Sequence, residues 1–239
     1  MASPQHGFRK AHSTTTAMHH ITRKICDGIN QKKPPHRTIL VAIDLSKAFD
    51  TVDHRILLHD ILETSIPNNY KRWLTNYLKG RKSFVEFRNC RSNYRNLKQG
   101  VPQGGVWSMD HVQHLHEQTT ASAWRYRSIS YADDCTATIS GNNIPQMCDS
   151  INSYLSELNT WFNRRSLKLS TQKSIATLFT SWTQELGPGK IDIKISGTPV
   201  PFSKQVKILG VTFDQMLTFN VHASTVANRV NTRNKVLHL

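Results

Sequence analysis

Acidic residues are scarce in this chain of 239 residues. Asp and Glu total 16 against 31 Lys and Arg, a formal net charge of +15. Such a surplus strains a compact state by self-repulsion unless a polyanion neutralises it, and the usual polyanion is nucleic acid, bound through its phosphates. Cysteines are few as well. Cys26, Cys90, Cys135 and Cys148 form no CxxC pair, which excludes zinc ribbons, zinc fingers and a secreted disulfide framework. They read as reduced intracellular thiols, with the nucleus or cytoplasm as the expected compartment. No apolar run approaches the length of a membrane span, so no membrane partner is expected. The opening MASPQHGFRKAHSTTTAM is polar, lacks a secretory pattern and reads as the middle of a longer protein.

What is present alternates between helical and strand patterns. Residues 11–31 suit a helix with Ile21 and Ile25 inward, stopped by the prolines of KKPPHR at 32–37. TILVAIDL, 38–45, is a β-branched run typical of a buried strand. Asp50 is placed to cap the next helix, with Asp53 in its first turn. A second helix covers about 68–79 and ends at Gly80. SFVEF, 83–87, alternates like a strand, and LKQGVPQGG, 97–105, is a glycine-rich loop. SISYADDCTATIS, 128–140, has the shape of a hairpin with an acidic tip. An amphipathic helix follows at 144–165 through Ile151, Leu155, Leu158 and Phe162. Strands are expected at 174–180, 191–197 and 206–214, with a GPGK turn at 187–190 and the start of a helix at 219–239. The pattern predicts an α+β fold: an antiparallel sheet with helices on one face.

Two acidic sites stand where carboxylates are costly. Asp44 ends a strongly apolar strand, and Asp133 and Asp134 lie side by side between two strands. A divalent cation relieves their mutual repulsion, and Mg²⁺ suits one or two carboxylates completed by phosphates and water. Two such ions can activate a hydroxyl and stabilise a phosphate leaving group. Taken alone, an ADD triplet is usually a solvated turn.

IDLSKAFD, QGVPQGG and YADD follow one another in the order and approximate spacing of motifs A, B and C of reverse transcriptases. QHGFRKAHST at 5–14, Lys173 in LKLSTQKS and KILGVTFD at 207–214 resemble further motifs of the same enzymes. The chain thus resembles the reverse transcriptase of a non-LTR (LINE-type, jockey-like) retrotransposon over nearly its whole length. The resemblance implies a partial fingers at 1–37, a palm at 38–214 with fingers/palm elements at 66–105, and the start of a truncated thumb at 215–239. It implies RNA-directed DNA synthesis from dNTPs at a primer 3′-hydroxyl on an RNA template, with two Mg²⁺ ions (or Mn²⁺) as cofactors. Asp44, Asp133 and Asp134 would then be catalytic and hold the metals. Phe49 would pack under the incoming sugar and exclude a 2′-hydroxyl. Gln103 and Gly104, within the loop Gln99–Gly105, would face the nucleotide, and Lys173 would neutralise or protonate the pyrophosphate. Ile208, Leu209 and Gly210 would grip the primer, and Arg81 and Lys82 would contact phosphate. Upstream fingers motifs, an endonuclease domain and most of the thumb are not part of these residues.

The chain departs from the family in two places. Ser170 stands where an asparagine is common. After QGVPQGG the chain reads VWSMDHVQHLHEQTTASAWRYR, 106–127, where the family has an apolar helix. His111, His114 and His116 lack the carboxylate pattern of a zinc site, and no zinc is expected. Permitted codons for residues 111–127, read one nucleotide later, yield a stretch similar to the missing helix. The segment is therefore expected to be a frame-shifted version of it, as in a decayed element. A divergent insertion is the other reading. The alternative function is accordingly a catalytically dead, nucleic-acid-binding remnant. On either reading, affinity for RNA–DNA hybrids should fall steeply with salt, by about 10³-fold between roughly 50 and 200 mM if some six phosphates are contacted. Filter binding across that range checks it, and a flat profile would count against nucleic acid as the polyanion.

Overall fold

The computed structural model describes residues 6–7, 9–31, 34, 36–46, 50–63, 66–101, 128–131 and 134–237. Its centre is a four-stranded antiparallel sheet of β1 (Arg37–Ile43), β7 (Ser128–Tyr131), β8 (Asp134–Gly141) and β10 (Ile175–Phe179), in the order β10-β1-β8-β7. β1 is central and apolar on both sides. Ile39, Val41 and Ile43 face one core, and Leu40 faces another. Near-continuous burial of this kind is what a strand covered on both faces requires.

Both faces are in fact covered, which corrects the expectation of helices on one face. Helix α1 (Thr14–Ile29) lies on one side. Its Ala17, Ile21 and Ile25 meet Leu40, Ile129 and Phe179. Ser13 starts it with a capping box: its side chain accepts from Thr16 N–H, and the Thr16 hydroxyl accepts from Ser13 N–H. On the other side lies α4 (Ile144–Arg164), whose Ile151, Leu155, Leu158 and Phe162 pack against Val41, Ala137 and Leu178. It ends in a Schellman motif. Leu167 N–H donates to Phe162 O at 3.0 Å and Ser166 N–H to Asn163 O at 3.1 Å, with Ser166 at φ 59°. α2 (His54–Leu62) and α3 (Asn68–Leu78) join this second core through Leu57, Ile61, Leu74 and Leu78. Asp53, not Asp50, caps α2, accepting from Arg55 N–H at 2.8 Å. Arg165 donates to Asp60 at 3.1 Å and so ties α4 to α2.

Short pairs complete the fold. β2 (Leu45–Ser46) pairs with β9 (Lys168–Leu169), and β11 (Lys194–Ile195) with β12 (Thr198–Pro199). β3 (Lys82–Ser83) pairs with β6 (Arg95–Asn96), and β4 (Glu86–Phe87) with β5 (Cys90–Arg91). The stretch expected as one strand at 206–214 is a hairpin instead. β13 (Gln205–Ile208) turns back into β14 (Val211–Asp214) through Leu209 and Gly210, both at positive φ. A two-residue turn of that hand matches strand twist. Val206, Ile208 and Phe213 seat this hairpin on the α1 side of the sheet. α5 (Asn220–Leu237) follows.

The α1 seat is tight at one point. A Cβ on Gly28 would lie 2.2 Å from Thr38 Oγ1 and 2.7 Å from Ser140 Oγ, which share a hydrogen bond of 2.8 Å across β1 and β8. Gly28→Ala should therefore destabilise by about 1–3 kcal/mol through overpacking, despite alanine's better helix propensity. Urea denaturation checks it. A gain in stability would show that α1 is not held this closely.

Candidate functional site

The ladder between β1 and β8 runs from Arg37↔Gly141 to Ile43↔Cys135. One step past its last pair stand Asp44 and Asp134, at the same end of two adjacent strands. The register therefore brings together two carboxylates 90 residues apart in sequence. Strand alternation carries both toward the face lined by Leu40, Ile129 and Phe179, since Ile43 and Cys135 point to the other. The β7–β8 ladder ends with the pair Tyr131↔Asp134, so Asp134 opens β8 at this end of the sheet. Asp133 itself lies outside the described residues, as do Phe49, Gln103, Gly104 and the segment 106–127.

The surroundings of Asp44 explain how a carboxylate is held there. Pairing of β1 with β10 stops at Ala42↔Ile175, and pairing of β2 with β9 resumes at Leu45↔Leu169. Between them the turn 170–174 stands opposite Ile43 and Asp44, an interruption of the kind that re-aims a side chain. That turn is stitched to the Asp44 main chain. Ser170 N–H donates to Asp44 O at 2.8 Å, Asp44 N–H donates to Ser174 Oγ at 3.2 Å, and the Ser174 hydroxyl donates to Ser170 O at 2.8 Å. Ser170 reaches Asp44 through its main chain alone, so the departure from asparagine leaves this link intact. Ser174 is the residue sequence reasoning missed. It is fully buried, but nothing in the string QKS distinguishes its hydroxyl from a surface serine. Lys173 sits exposed in the same turn, its N–H donating to Ser170 O at 3.2 Å.

Main-chain satisfaction leaves the side chain unsatisfied. Asp44 Oδ2 is buried and has no hydrogen-bond partner among the described residues. A buried carboxylate oxygen without a donor is costly, and it is the kind of atom a cation would satisfy. Among the described residues no group of three His, Cys, Asp or Glu side chains is placed to hold an ion. One buried orphan oxygen and one exposed carboxylate nevertheless fit Mg²⁺, which takes few protein ligands and keeps its water. Next to the pair, burial pushes the Cys135 thiol up to about 11. The Ser130 hydroxyl, donating to its sulfur at 3.7 Å, opposes the shift, and the Asp134 charge adds to it. That thiol stays protonated and is no nucleophile.

The other expected elements of the site lie at three places. Ile208, Leu209 and Gly210 form the turn of the β13–β14 hairpin, on the same face of the sheet as the carboxylates. The start of the glycine-rich loop is pinned beyond the end of β2. Gly100 N–H donates to Val52 O at 2.8 Å, the Gly100 carbonyl meets His54 Nε2 at 2.7 Å, and a Cβ on Gly100 would lie 3.0 Å from Asp50 O. Gly100 has φ 86°, so this close approach needs glycine. Upstream, His6 N–H donates to Ser130 O at 2.8 Å and joins the stretch at 5–14 to the strand that leads into the acidic tip. Burial, with nearby His20, His12 and Arg9, lowers the His6 pKa to about 4 and keeps it neutral. Arg81 and Lys82 lie apart, at the base of an exposed hairpin described below.

Comparison with known proteins places the chain in a family and a fold. The chain belongs to the reverse transcriptase (RNA-dependent DNA polymerase) family, whose profile matches residues 1–213. It is 31% identical over 237 residues to the probable RNA-directed DNA polymerase from transposon BS of Drosophila melanogaster, covering 94% of this chain and 25% of that protein. It is 28% identical to the corresponding polymerase from transposon X-element and 25% identical to that of the mobile element jockey of Drosophila funebris. The chain thus spans about a quarter of the length of these curated relatives. Among solved structures, it shares the fold of Candida tropicalis telomerase, apo and truncated of its C-terminal domain. The TM-score is 0.60 at 13% identity, over 87% of this chain and 39% of that one. The same telomerase in complex with a fragment of telomeric RNA matches with a TM-score of 0.58 at 13% identity, over 87% of this chain and 33% of that one.

Mg²⁺ should raise the melting temperature by binding the native state. At ten times its dissociation constant the gain is about 1.4 kcal/mol. Asp44→Asn should abolish that increment without lowering metal-free stability. A variant that still responds fully to Mg²⁺ would remove Asp44 as a ligand.

Proposed function

We propose that this chain is the catalytic core of an RNA-directed DNA polymerase from a non-LTR retrotransposon. The observation that carries the reading is the orphaned Oδ2 of Asp44 beside Asp134, at the end of adjacent strands in a chain of this family. Asp44, Asp133 and Asp134 hold divalent cations, Mg²⁺ in the first instance. When bound, the ions supply a Lewis-acid centre that lowers the pKa of a primer 3′-hydroxyl and screens the charge of the leaving pyrophosphate. The protein's own part is positional. The Ser170–Ser174 turn fixes the Asp44 main chain, and Lys173, presented by that turn, neutralises phosphate. The Leu209–Gly210 turn supports the primer end, and the loop pinned at Gly100 backs the incoming nucleotide. Phe49 serves as the sugar gate. In this assignment residues 1–37 are partial fingers, 38–214 the palm and 215–239 the start of the thumb. RNA template, DNA primer and dNTPs are the partners. The telomerase neighbour in complex with telomeric RNA supports an RNA partner.

One observation favours a second reading, a catalytically dead remnant that still binds nucleic acid. Residues 106–127, among them His111, Gln113, His114, Glu117 and Gln118, carry no apolar stripe where the family has a helix. A helix without such a stripe gains little from packing. We read the segment as frame-shifted and the chain as written as inactive or nearly so. Primer extension and thermal melting, run on this chain beside a version with the frame restored over 106–127, separate the readings. The restored version should melt higher and extend a primer on RNA, with extension lost in Asp44→Asn. Equal behaviour of the two chains in both assays would make the segment a functional insertion.

A further inference from the structure

We infer that the surface formed by α3 and the hairpin at 82–96 is a binding platform for single-stranded nucleic acid, separate from the acidic site. The hairpin contributes nothing to either core, and every residue from 82 to 96 is exposed. Its order is internal. Ser92 N–H donates to Val85 O at 2.9 Å, Val85 N–H donates to Ser92 Oγ at 2.9 Å, and Phe84 meets Tyr94 edge to face at 5.2 Å. Isolated two-stranded hairpins are marginal in water, so one that spends its large apolar side chains on its own surface is built to present them.

What it presents is alternately basic and aromatic. From Arg81 to Lys98 the chain holds Arg81, Lys82, Arg88, Arg91, Arg95 and Lys98 against a single acid, Glu86. Arg91 lies over the Phe84 ring at 4.5 Å and Arg88 over Phe87 at 5.2 Å. On α3, Trp73 and Tyr77 stand one turn apart and stack at 5.3 Å with an interplanar angle of 10°, and the Arg81 guanidinium continues the stack 4.8 Å above Tyr77. Trp73 is 47% exposed and Phe87 68%. The tip, Arg88–Asn89, turns with both residues at positive φ, 46° and 64°. Asn tolerates this, whereas Arg does so only under strain. The strain holds a cation at the exposed tip.

The chemistry selects the occupant. A surplus of guanidinium and ammonium groups matches the phosphates of a nucleic-acid backbone. Exposed ring and guanidinium faces match bases, and only unpaired bases offer their faces. A duplex would use the charges and waste the rings. An apolar protein partner would use the rings and bury the charges unpaired.

The inference takes its partner class from the proposed function but not its metal chemistry, and the test separates them. Anisotropy of fluorescent oligouridylate and oligothymidylate, with the full chain in EDTA, reads binding without the acidic site. Single strands of RNA, DNA or both should bind more tightly than the matching duplex. Trp73→Ala and Phe84→Ala should each weaken binding about tenfold with an unchanged melting temperature, and Arg88→Ala should weaken it and flatten its salt dependence. Equal binding of duplex and single strand, or wild-type affinity in the two aromatic variants, would overturn the platform. So would self-association through this face that oligonucleotide fails to displace. Because divalent ions are absent, these failures would leave the nucleotidyl-transfer assignment standing, and loss of primer extension would leave the platform standing.

Discussion

The register between β1 and β8 is the constraint on which the site depends. A strand has a period of two, so a slip of one residue would turn Asp44 or Asp134 to the opposite face. The register is locked from both sides. Ile39, Val41 and Ala137 are buried against α4, Leu40 is buried against α1, and Thr38 bonds Ser140 across the pair. Two full cores are thus spent on fixing the relative position of two carboxylates at the end of one ladder.

That arrangement explains why an unsatisfied oxygen persists. The turn at 170–174 satisfies the Asp44 main chain through Ser170 and Ser174 but offers nothing to Oδ2. No described residue donates to that oxygen. The nearest basic residue of that turn, Lys173, is exposed. Local cost without local compensation is a common mark of a functional position. The same division holds at a larger scale: apolar burial is concentrated in the sheet, α1 and α4, while the cationic and aromatic surplus is set out on α3 and the 82–96 hairpin.

Much of this was legible in the sequence where one physical rule dominates. Helices α1 and α4 follow from Ile21, Ile25, Ile151, Leu155 and Leu158 at helical spacing, and the hairpin around the acidic pair follows from apolar strands on either side of it. Periodicity does not report what lies on the far side of a strand. The six-residue run TILVAI looks the same with one covered face or two, and the expectation of helices on one face failed there. Turn chemistry was the second blind spot. Leu209–Gly210 folds back because a β13–β14 hairpin can bury Val206, Ile208 and Phe213 together, a tertiary gain invisible in the string VKILGVTFD. Asp53 rather than Asp50 caps α2 because the chain from 50 to 54 is held against Gly100. The roles proposed for Asp44 and Asp134 come from resemblance, not periodicity, and the register adds that both stand at the same end of adjacent strands. The support from Ser174 carried no sequence signal.

The central claim is that Asp44 and Asp134 share a divalent cation at the end of the β1–β8 ladder. Crystals of the chain soaked in Mn²⁺ test it directly, because the ion's anomalous scattering locates it without assumption. The account predicts a peak in contact with the Asp44 carboxylate and adjacent to Asp134. Full Mn²⁺ occupancy elsewhere on the chain, with Asp44 Oδ2 still without a partner, would contradict it.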